Sequence, residues 1–286
     1  MPPVKIIMKI ITWNINSVRL RLPSLLRLLA EAKPEVVCLQ ETKCPDHAFP
    51  RAALAEAGYR HQAIRGEKGV NGVAILSRLP LVDVHHQHWA GRADCRHIAA
   101  FIDGGGGSES NKILLDNFYV PAGGDIPDTK QNPKFAHKLK FLAELQDWAR
   151  KRNATTSAVP AVLVGDLNIA PREDDVWSHK ALLSVVSHTP REVEALLSLQ
   201  EAGRWVDAVR HHIPDGKLYS WWSYRARVWE ESDRGRRLDH IWVTPPLVSQ
   251  VKQAEIMKHV RGWEQPSDHA PVVVTLVPPA KNGSIA

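Results

Sequence analysis

The apolar run at residues 162–164 ends abruptly in Gly165-Asp166-Leu167-Asn168, and this junction constrains the fold more than any other part of the chain. Branched apolar residues followed at once by short polar ones predict a buried strand whose C-terminal tip presents a carboxylate and an amide. The same pattern recurs at residues 10–14, 36–41 and 238–242, and Ser267-Asp268-His269 precedes another apolar run. We therefore expect one pocket that is assembled from several strand ends.

The chain is long enough for one large domain or two small ones. Its 286 residues contain no linker-like segment, so we expect a single domain at residues 8–277, with residues 1–7 and 278–286 as extensions. The tail from Pro278 is predicted to be disordered. The 44% hydrophobic and 24% charged residues are typical of a globular protein. A net charge of +6 favours a polyanionic partner such as nucleic acid.

The three cysteines, Cys38, Cys44 and Cys95, are an odd number without CxxC spacing. Neither a disulfide framework nor a thiolate zinc site is expected from them, and reduced thiols in a cytosolic protein are the simpler interpretation. No apolar run approaches the roughly 20 residues that span a bilayer, and the N-terminus lacks the core and cleavage site of a signal peptide. The sequence therefore predicts a soluble, cytoplasmic protein with no membrane partner.

Short β-rich runs alternate with amphipathic helical segments along the chain. Strands are predicted at residues 10–13, 36–40, 73–77, 81–85, 98–102, 113–118, 161–165, 238–243 and 271–276. Helices are predicted at residues 21–31 and 133–150, where large apolar side chains recur at helical spacing and Pro23 and Pro133 mark helix starts. The glycine-rich segment 103–110 is predicted to be a flexible hairpin loop. This alternation predicts an α/β protein with helices packed outside the sheets.

Glu41 is a candidate ligand for a hard divalent cation. It follows a predicted strand, and Mg²⁺ prefers oxygen ligands and needs only one or two protein carboxylates because it keeps several waters. Taken alone, however, Glu41 is more often a solvated acid at a strand end, and Asn14 is more often a turn residue.

Two further pairs of polar residues suit chemistry at a phosphate. Asp166 and Asn168 share one strand tip, so one could take a proton from water while the other donates a hydrogen bond to a phosphate oxygen. Asp239 could fix the orientation of His269 and hold its imidazole positively charged. Their separation in sequence leaves that contact open.

The segment at residues 219–227 is dense in aromatic and basic side chains, with four aromatics and two arginines. It is either a core strand or an exposed platform for a sugar or base, with the arginines directed at phosphate. The predicted helix at 133–150 carries Lys134, His137, Lys138 and Lys140, which form either a solvated face or contacts to a phosphate backbone. The histidines at residues 85–88 have no acid at useful spacing, so no metal is assigned to them.

Six motifs in order along the chain carry a family resemblance: Thr12-Trp13-Asn14, Leu39-Gln40-Glu41-Thr42-Lys43, Asn117-Phe118-Tyr119-Val120-Pro121, Gly165-Asp166-Leu167-Asn168-Ile169, Arg237-Leu238-Asp239 and Ser267-Asp268-His269-Ala270-Pro271. Together they resemble the exonuclease III family of abasic-site DNA repair enzymes, within the endonuclease/exonuclease/phosphatase superfamily. The resemblance covers nearly the whole chain. It implies a four-layer α/β sandwich, in which two packed mixed β-sheets are flanked by helices and the active site lies at one end.

The resemblance also implies a reaction. It implies Mg²⁺- or Mn²⁺-dependent hydrolysis of the DNA backbone 5′ to an abasic site, with 3′–5′ exonuclease and 3′-phosphatase or phosphodiesterase trimming as related activities. The implied partner is double-stranded DNA with abasic sites or 3′ lesions, bound by a monomer in the bacterial cytoplasm. In-line attack on a phosphodiester builds negative charge that a cation, an imidazolium and amide donors can stabilise without a covalent intermediate.

The resemblance assigns roles residue by residue. Three side chains are assigned to the metal: Glu41 as the principal ligand, with Asn14 and Asp268 near it. Five are assigned to the chemistry: Asp166 to orient or deprotonate the attacking water, Asn168 and Tyr119 as phosphate-directed donors, and Asp239 with His269 as an acid and imidazole pair. Two are assigned to the substrate, Trp221 and Trp222, which line the pocket for the abasic sugar. Apart from these roles, four basic residues of this chain are candidates for substrate contact: Arg96, Lys134, Lys138 and Arg236.

Three positions depart from the pattern of the family. Asn16 stands where some members carry an aspartate near the metal. Arg236 stands where an apolar or aromatic residue usually walls the sugar pocket, and Asp233 stands where an asparagine is common. Two alternatives stay open from the sequence: another phosphoesterase of the superfamily, such as a non-specific deoxyribonuclease or a small-molecule or lipid phosphatase, and a non-catalytic DNA-binding module.

Overall fold

A computed structural model describes residues 7–103, 112–156, 159–226 and 228–277. The strands in these residues are β1 (Met8–Asn14), β2 (Val36–Gln40), β3 (His61–Arg65), β4 (Val73–Ser77), β5 (Leu81–His85), β6 (His97–Asp103), β7 (Lys112–Tyr119), β8 (Ala161–Asp166), β9 (Val206–Asp207), β10 (Asp239–Val243), β11 (Val251–Ile256) and β12 (Val272–Leu276). The helices are α1 (Leu22–Ala32), α2 (Arg51–Glu56), α3 (Pro133–Thr156), α4 (His179–Leu182), α5 (Pro190–Ala202), α6 (Ala208–His212), α7 (Trp229–Ser232) and α8 (Pro245–Val248). Within these residues no helix is both long and apolar enough to cross a lipid bilayer.

The strands form two mixed sheets of six strands each. The first has the order β11-β12-β1-β2-β4-β3, and the second has the order β5-β6-β7-β8-β10-β9. Each sheet contains one parallel pair near its centre, β1 with β2 and β7 with β8, while the remaining neighbours are antiparallel. This arrangement matters for the site because parallel neighbours end at the same edge of a sheet.

Three apolar clusters define the layers. One lies between the sheets, where residues of the first sheet such as Ile10 and Val274 meet residues of the second such as Val164 and Ile241. A second packs α1 and α2 on the outer face of the first sheet, and a third packs α3 and α5 on the outer face of the second. The predicted four-layer α/β sandwich is therefore confirmed.

The predicted strands and helices are all present, with ends that differ by a few residues. The second predicted helix continues to Thr156, and the strand predicted from residue 238 begins at Asp239. The sequence missed β3, β9 and β11, because β3 and β11 lie at sheet edges with mostly exposed or half-buried side chains and β9 has two residues. It also missed α5, although Thr189 and Glu192 form a capping box at its start.

Two predictions fall on other parts of the chain. All of the predicted glycine-rich hairpin loop after Asp103 lies outside the described residues, as do residues 1–6 and the tail 278–286. The single domain at residues 8–277 stays a prediction.

Candidate active site

The strand ends of both sheets meet at one end of the sandwich. In the first sheet Asn14 pairs with Gln40, so β1 and β2 end together and Glu41 follows directly. In the second sheet Tyr119 pairs with Asp166 at the ends of β7 and β8, and Asp239 at the start of β10 lies opposite Asp166. The register of the two sheets thus brings the polar strand tips together, as the sequence predicted.

Hydrogen bonds join the two sheets across this end. The buried amide of Asn14 donates to Glu41 Oε1 and to Asp166 Oδ2, both at 2.9 Å. Tyr119 donates its hydroxyl to the same Glu41 oxygen at 2.7 Å. One amide of the first sheet therefore contacts a carboxylate from each side of the site.

Asp166 lies at the centre of the cluster and is 1% exposed. Its Oδ1 accepts the backbone N–H of Asn168 at 2.9 Å, and its Oδ2 accepts the Asn168 amide at 3.2 Å. Asn168 has φ 54°, a left-handed conformation that turns its amide back toward Asp166. His269 Nε2 lies 3.8 Å from Asp166 Oδ2 on the other side.

Asp239 and His269, whose contact the sequence left open, form a hydrogen-bonded pair. The distance from His269 Nδ1 to Asp239 Oδ2 is 2.8 Å, and both residues are buried. Ser220 donates its hydroxyl to the same Asp239 oxygen at 2.6 Å, while the backbone N–H groups of Leu238 and Asp239 donate to the serine. No role for Ser220 was predicted from the sequence, and only its place beside Trp221 could have indicated one.

Burial and neighbouring charges shift the ionisation of these groups. Burial raises the pKa of Asp166 to about 7, with Asp239 adding to the effect and His269 opposing it. Burial disfavours a charged His269, but Asp239 and Asp166 outweigh it and raise the pKa of the imidazole to about 10. An imidazolium between two aspartates is therefore the dominant form at neutral pH.

Glu41 behaves in the opposite way to Asp166. Burial acts to raise its pKa, but hydrogen bonds from Asn14, Lys43 and Tyr119, together with the Lys43 charge, outweigh burial and lower it. The same surroundings raise the pKa of Tyr119 well above its usual value, first through burial and then through Glu41 and Asp166. Glu41 is thus held as a carboxylate and Tyr119 as a hydroxyl donor.

The donor set suits a divalent metal. Ligand atoms of Asp166, Asp239 and His269 lie within 4.8 Å of one another, so the two carboxylates could hold an ion, and His269 could join them only with a neutral imidazole. The Oδ1 atom of Asp239 is buried without a hydrogen-bond partner among the described residues, which leaves a carboxylate oxygen open to a cation or proton. Glu41 adds a further carboxylate, which is joined to Asp166 through the amide of Asn14. Oxygen-rich ligands of this kind fit Mg²⁺ or Mn²⁺.

Asp268, predicted near the metal, connects to Glu41 through two intermediate side chains. The Lys43 ammonium lies 2.8 Å from Glu41 Oε2 and donates to Asn16 Oδ1 at 2.6 Å. The Asn16 amide in turn donates to Asp268 Oδ1 at 3.1 Å. The structure thus places Asn16 between a lysine and an aspartate.

One of the two tryptophans predicted for the sugar pocket lies beside the site. Trp221 is partly exposed, donates its indole N–H to Asp268 at 2.9 Å and has the Arg236 guanidinium 5.2 Å from its ring. Trp222 is 1% exposed and donates to Asp233. The prediction for Trp222 is therefore wrong, because its ring packs in the protein interior against Tyr219 and Trp229.

The prediction that Lys138 contacts the substrate is also wrong. Lys138 is 0% exposed, and its ammonium binds Glu192 and the main-chain oxygens of Ala122 and Asn168. Lys134, one turn earlier on α3, is exposed and stays a candidate for phosphate contact. Lys138 instead ties α3 and α5 to the loop that carries Asn168.

Arg96 lies next to the site residue Tyr119. Its guanidinium stacks over the Tyr119 ring at 4.7 Å and forms a 2.6 Å ion pair with Asp94. Asn117, which the sequence quoted only within a motif, accepts a hydrogen bond from Gln40 at 2.7 Å and joins the two sheets beneath the site. Its flanking motif was the only sequence signal for this structural role.

A cavity of about 210 Å³ lies away from this cluster. It is lined by residues such as Arg152, Trp205 and Thr244, the last of which follows the far end of β10. The site residue Asp239 stands at the opposite end of the same strand. The convergence of buried acids and imidazole, rather than cavity size, therefore marks the candidate active site.

Comparisons with known proteins were consistent across sequence and structure. The sequence profile of the Endonuclease/Exonuclease/phosphatase family matches residues 11–269. The chain is 31% identical over 274 residues to exodeoxyribonuclease III of Haemophilus influenzae, covering 93% of this chain and 98% of the relative. It is 31% identical over 271 residues to an exodeoxyribonuclease of Bacillus subtilis, with the same coverage.

Two solved structures are similar over nearly the whole chain. One is an AP endonuclease from Archaeoglobus fulgidus, with a TM-score of 0.85 and 34% identity over 94% of this chain and 99% of that one. The other is the Neisseria 3′ phosphatase NExo bound to a product DNA hairpin, with a TM-score of 0.84 and the same identity and coverage.

Proposed function

Because this chain belongs to the Endonuclease/Exonuclease/phosphatase family, we propose that it is a DNA repair phosphodiesterase that cleaves the backbone 5′ to abasic sites, with 3′–5′ exonuclease and 3′-end trimming as related activities. The observation that carries the proposal is the continuous set of contacts from Glu41 through Asn14, Asp166 and His269 to Asp239. The names of the similar exodeoxyribonucleases, AP endonuclease and DNA-bound 3′ phosphatase support a DNA substrate.

The proposed cofactor is Mg²⁺ or Mn²⁺, held by Glu41 with Asn14 and Asp268 nearby. These side chains offer oxygen ligands, and hydrogen bonds to Glu41 keep it ionised. When bound, the cation supplies positive charge that stabilises the negative charge developing on the phosphate oxygens.

The chain's own residues account for the proton transfers. Asp166, with a pKa of about 7, is matched to accepting a proton from the attacking water near neutral pH. The His269 imidazolium, held in place by Asp239, places positive charge and an N–H donor beside the phosphate. Tyr119 and Asn168 are the proposed neutral donors, and to reach the phosphate their hydrogens must turn away from Glu41, Asp166 and the Val120 carbonyl, which accept them in this structure. The water oxygen bonds to phosphorus as its proton passes to Asp166, and the bond between phosphorus and the 3′ oxygen breaks. The 3′ oxygen takes up a proton from solvent and leaves as a hydroxyl.

Double-stranded DNA with an abasic site or a blocked 3′ end is the proposed substrate, and a monomer is the proposed form. A non-specific deoxyribonuclease of the same family is the second candidate, since the same hydrolytic cluster would serve it. The partly exposed Trp221 ring beside the acids favours a damage-selective enzyme, because an extruded abasic sugar needs an apolar surface and costs less to unpair than an intact nucleotide.

The test is cleavage of a duplex with one abasic analogue beside an intact duplex of the same sequence, in Mg²⁺ and in EDTA. We expect the lesion to be nicked far faster than the intact duplex and only with the metal. Asp166→Asn should lower the turnover by about 10²–10³-fold while DNA is still bound. Asp147→Asn is the control, since that carboxylate is exposed on α3 and pairs with Arg150. Equal rates on both duplexes would exclude damage selectivity.

A further inference from the structure

Arg236 is a partly buried cation beside the candidate active site. Its Nη1 donates to the Val186 carbonyl at 3.0 Å and to Ser187 Oγ at 2.8 Å, and both acceptors are neutral. Its Nε is buried without a hydrogen-bond partner, and in the part of the chain that the structure describes no carboxylate lies within ion-pair distance. The Glu192 carboxylate acts on this charge from beyond ion-pair distance and is itself bound by Lys138, so the guanidinium has no direct counter-ion among the described residues and favours an anion supplied from outside.

A short ladder of main-chain bridges connects Arg236 to the catalytic cluster. Trp221 forms an antiparallel bridge with Arg236 on one side and with His269 on the other. Residues directly opposite each other in such a ladder project to the same side. Since paired strands lie about 4.8 Å apart, Arg236 stands roughly 10 Å from His269 with the Trp221 ring between them. A group attached to a phosphate at His269 would extend across Trp221 toward Arg236.

We propose that Arg236 selects substrates in which the group on the 3′ side of the scissile phosphate carries a second oxyanion, either a carboxylate or the next phosphate. The inference rests on the proposed function and deepens it. With Nη1 bound to Val186 and Ser187 and Nε buried, the Nη2 group and the positive charge remain to attract either oxyanion, whereas a neutral sugar offers no charge to match. Arg236 acts on binding and leaves the bonds made and broken at phosphorus unchanged.

Two substrate pairs separate the possible sources of the oxyanion. The first compares a nicked duplex ending in 3′-phosphoglycolate with one ending in a 2-hydroxyethyl phosphodiester. The two differ only in the terminal group, which is a carboxylate in the first and an uncharged hydroxyl in the second. The second compares an internal tetrahydrofuran abasic analogue followed by a natural phosphate with one followed by a methylphosphonate. We expect the enzyme to favour the charged member of at least one pair in kcat/KM, by about tenfold to a hundredfold. The responsive pair identifies the carboxylate or the phosphate.

Variants test whether Arg236 causes the preference for the charged substrate, measured as the ratio of the two kcat/KM values. In Arg236→Gln the ratio should fall close to one. Arg234→Gln is the matched control, because Arg234 lies two residues away, is exposed and stacks on a different tryptophan, Trp177, at 4.8 Å. It should keep the original ratio. If thermal unfolding shows that Arg236→Gln does not fold, Arg236→Lys replaces it. It should lose most of the preference, because a compact ammonium lacks the spread of N–H groups that lets the guanidinium hold Ser187 and an oxyanion together.

The outcomes are distinguishable. Cleavage without preference in both pairs, or a preference that persists in Arg236→Gln, overturns the role of Arg236 and leaves the proposed function standing. Failure of the unmodified protein to cleave any of the four substrates overturns the proposed function and this inference with it.

Discussion

Replacing Asp166 by asparagine is expected to stabilise the protein at alkaline pH. Asp166 is 1% exposed, and burial is the main cause that raises its pKa from 3.8 to about 7, with Asp239 adding to it and His269 opposing. A carboxylate whose pKa is raised by folding is harder to ionise in the folded state than in the unfolded chain. Its ionisation therefore lowers the free energy of unfolding.

The sign and size follow from the two pKa values. Below pH 3.8 Asp166 is protonated in both states, and its protonated form carries no penalty. As the pH rises from 3.8 to about 7 the unfolded chain ionises first, and above 7 the penalty is complete. At 1.36 kcal/mol per pKa unit this interval corresponds to at most about 4 kcal/mol. Loss of the charged acceptor for Asn14 and Asn168 reduces the gain, so we expect a net stabilisation of about 1–3 kcal/mol.

The assay is thermal and urea unfolding of both proteins in EDTA at pH 5 and pH 8.5. At about 2–4 °C per kcal/mol for a chain of this size, Asp166→Asn should raise the Tm by several degrees at pH 8.5 and by less at pH 5. Asp175→Asn is the control, because it should lower the free energy of unfolding where Asp166→Asn raises it. Burial acts to raise the pKa of Asp175, but Arg237 and Arg210 outweigh it, so this variant should lose about 3–5 kcal/mol.

Two results would refute this reasoning. The first is an Asp166→Asn protein that is less stable than the unmodified one at pH 8.5. The second is a gain of equal size at both pH values, since the electrostatic penalty depends on ionisation.

Three further predictions follow from the site and its supports. In Asp239→Asn the pKa of the His269 imidazole should fall well below about 10, because its main stabilising charge is gone; an NMR titration of both proteins tests this, and an equal pKa in both contradicts the pairing. Glu41→Gln should weaken Mg²⁺ binding about tenfold or more by calorimetry, because it removes a ligand charge; equal affinity would remove Glu41 from the metal. Lys138→Met should cost about 3–5 kcal/mol of stability by leaving Glu192 unpaired, and should not change the salt dependence of DNA binding; a reduced slope would return Lys138 to the DNA interface.

The sequence predicted those parts of the site that local pattern determines. Asp166 and Glu41 could be placed at strand tips because an apolar run ends one residue before each. The order of six motifs then added the fold and the pairing of Asp239 with His269. The structure confirms the fold and brings that pair to 2.8 Å.

What the sequence could not predict depends on distant partners. Lys138 lies in a basic stretch of α3 that is typical of a solvated face. Its burial is tolerable because Glu192 on another helix and two main-chain oxygens bind the ammonium. Trp222 and its neighbour Trp221 are equally aromatic in sequence, yet one lies in the interior and the other beside the site. The strands β3 and β11 were missed for a related reason, because an edge strand needs no continuous apolar face.

The direct pairing of Asp166 with Asp239 across β8 and β10 has a consequence for refolding. Like charges opposite each other in a ladder repel, and here they are held at the junction of two otherwise apolar strands. A slip of one residue would turn one strand's aspartate to the opposite face, and a slip of two would separate the pair by about 7 Å. In the native ladder the His269 imidazolium lies beside both carboxylates and offsets this repulsion, whereas a ladder with shifted register avoids the repulsion without His269. A proton or a divalent cation that is present while the sheet forms also removes the repulsion between the carboxylates. The pH and the cation concentration during refolding therefore influence how often the native strand register forms.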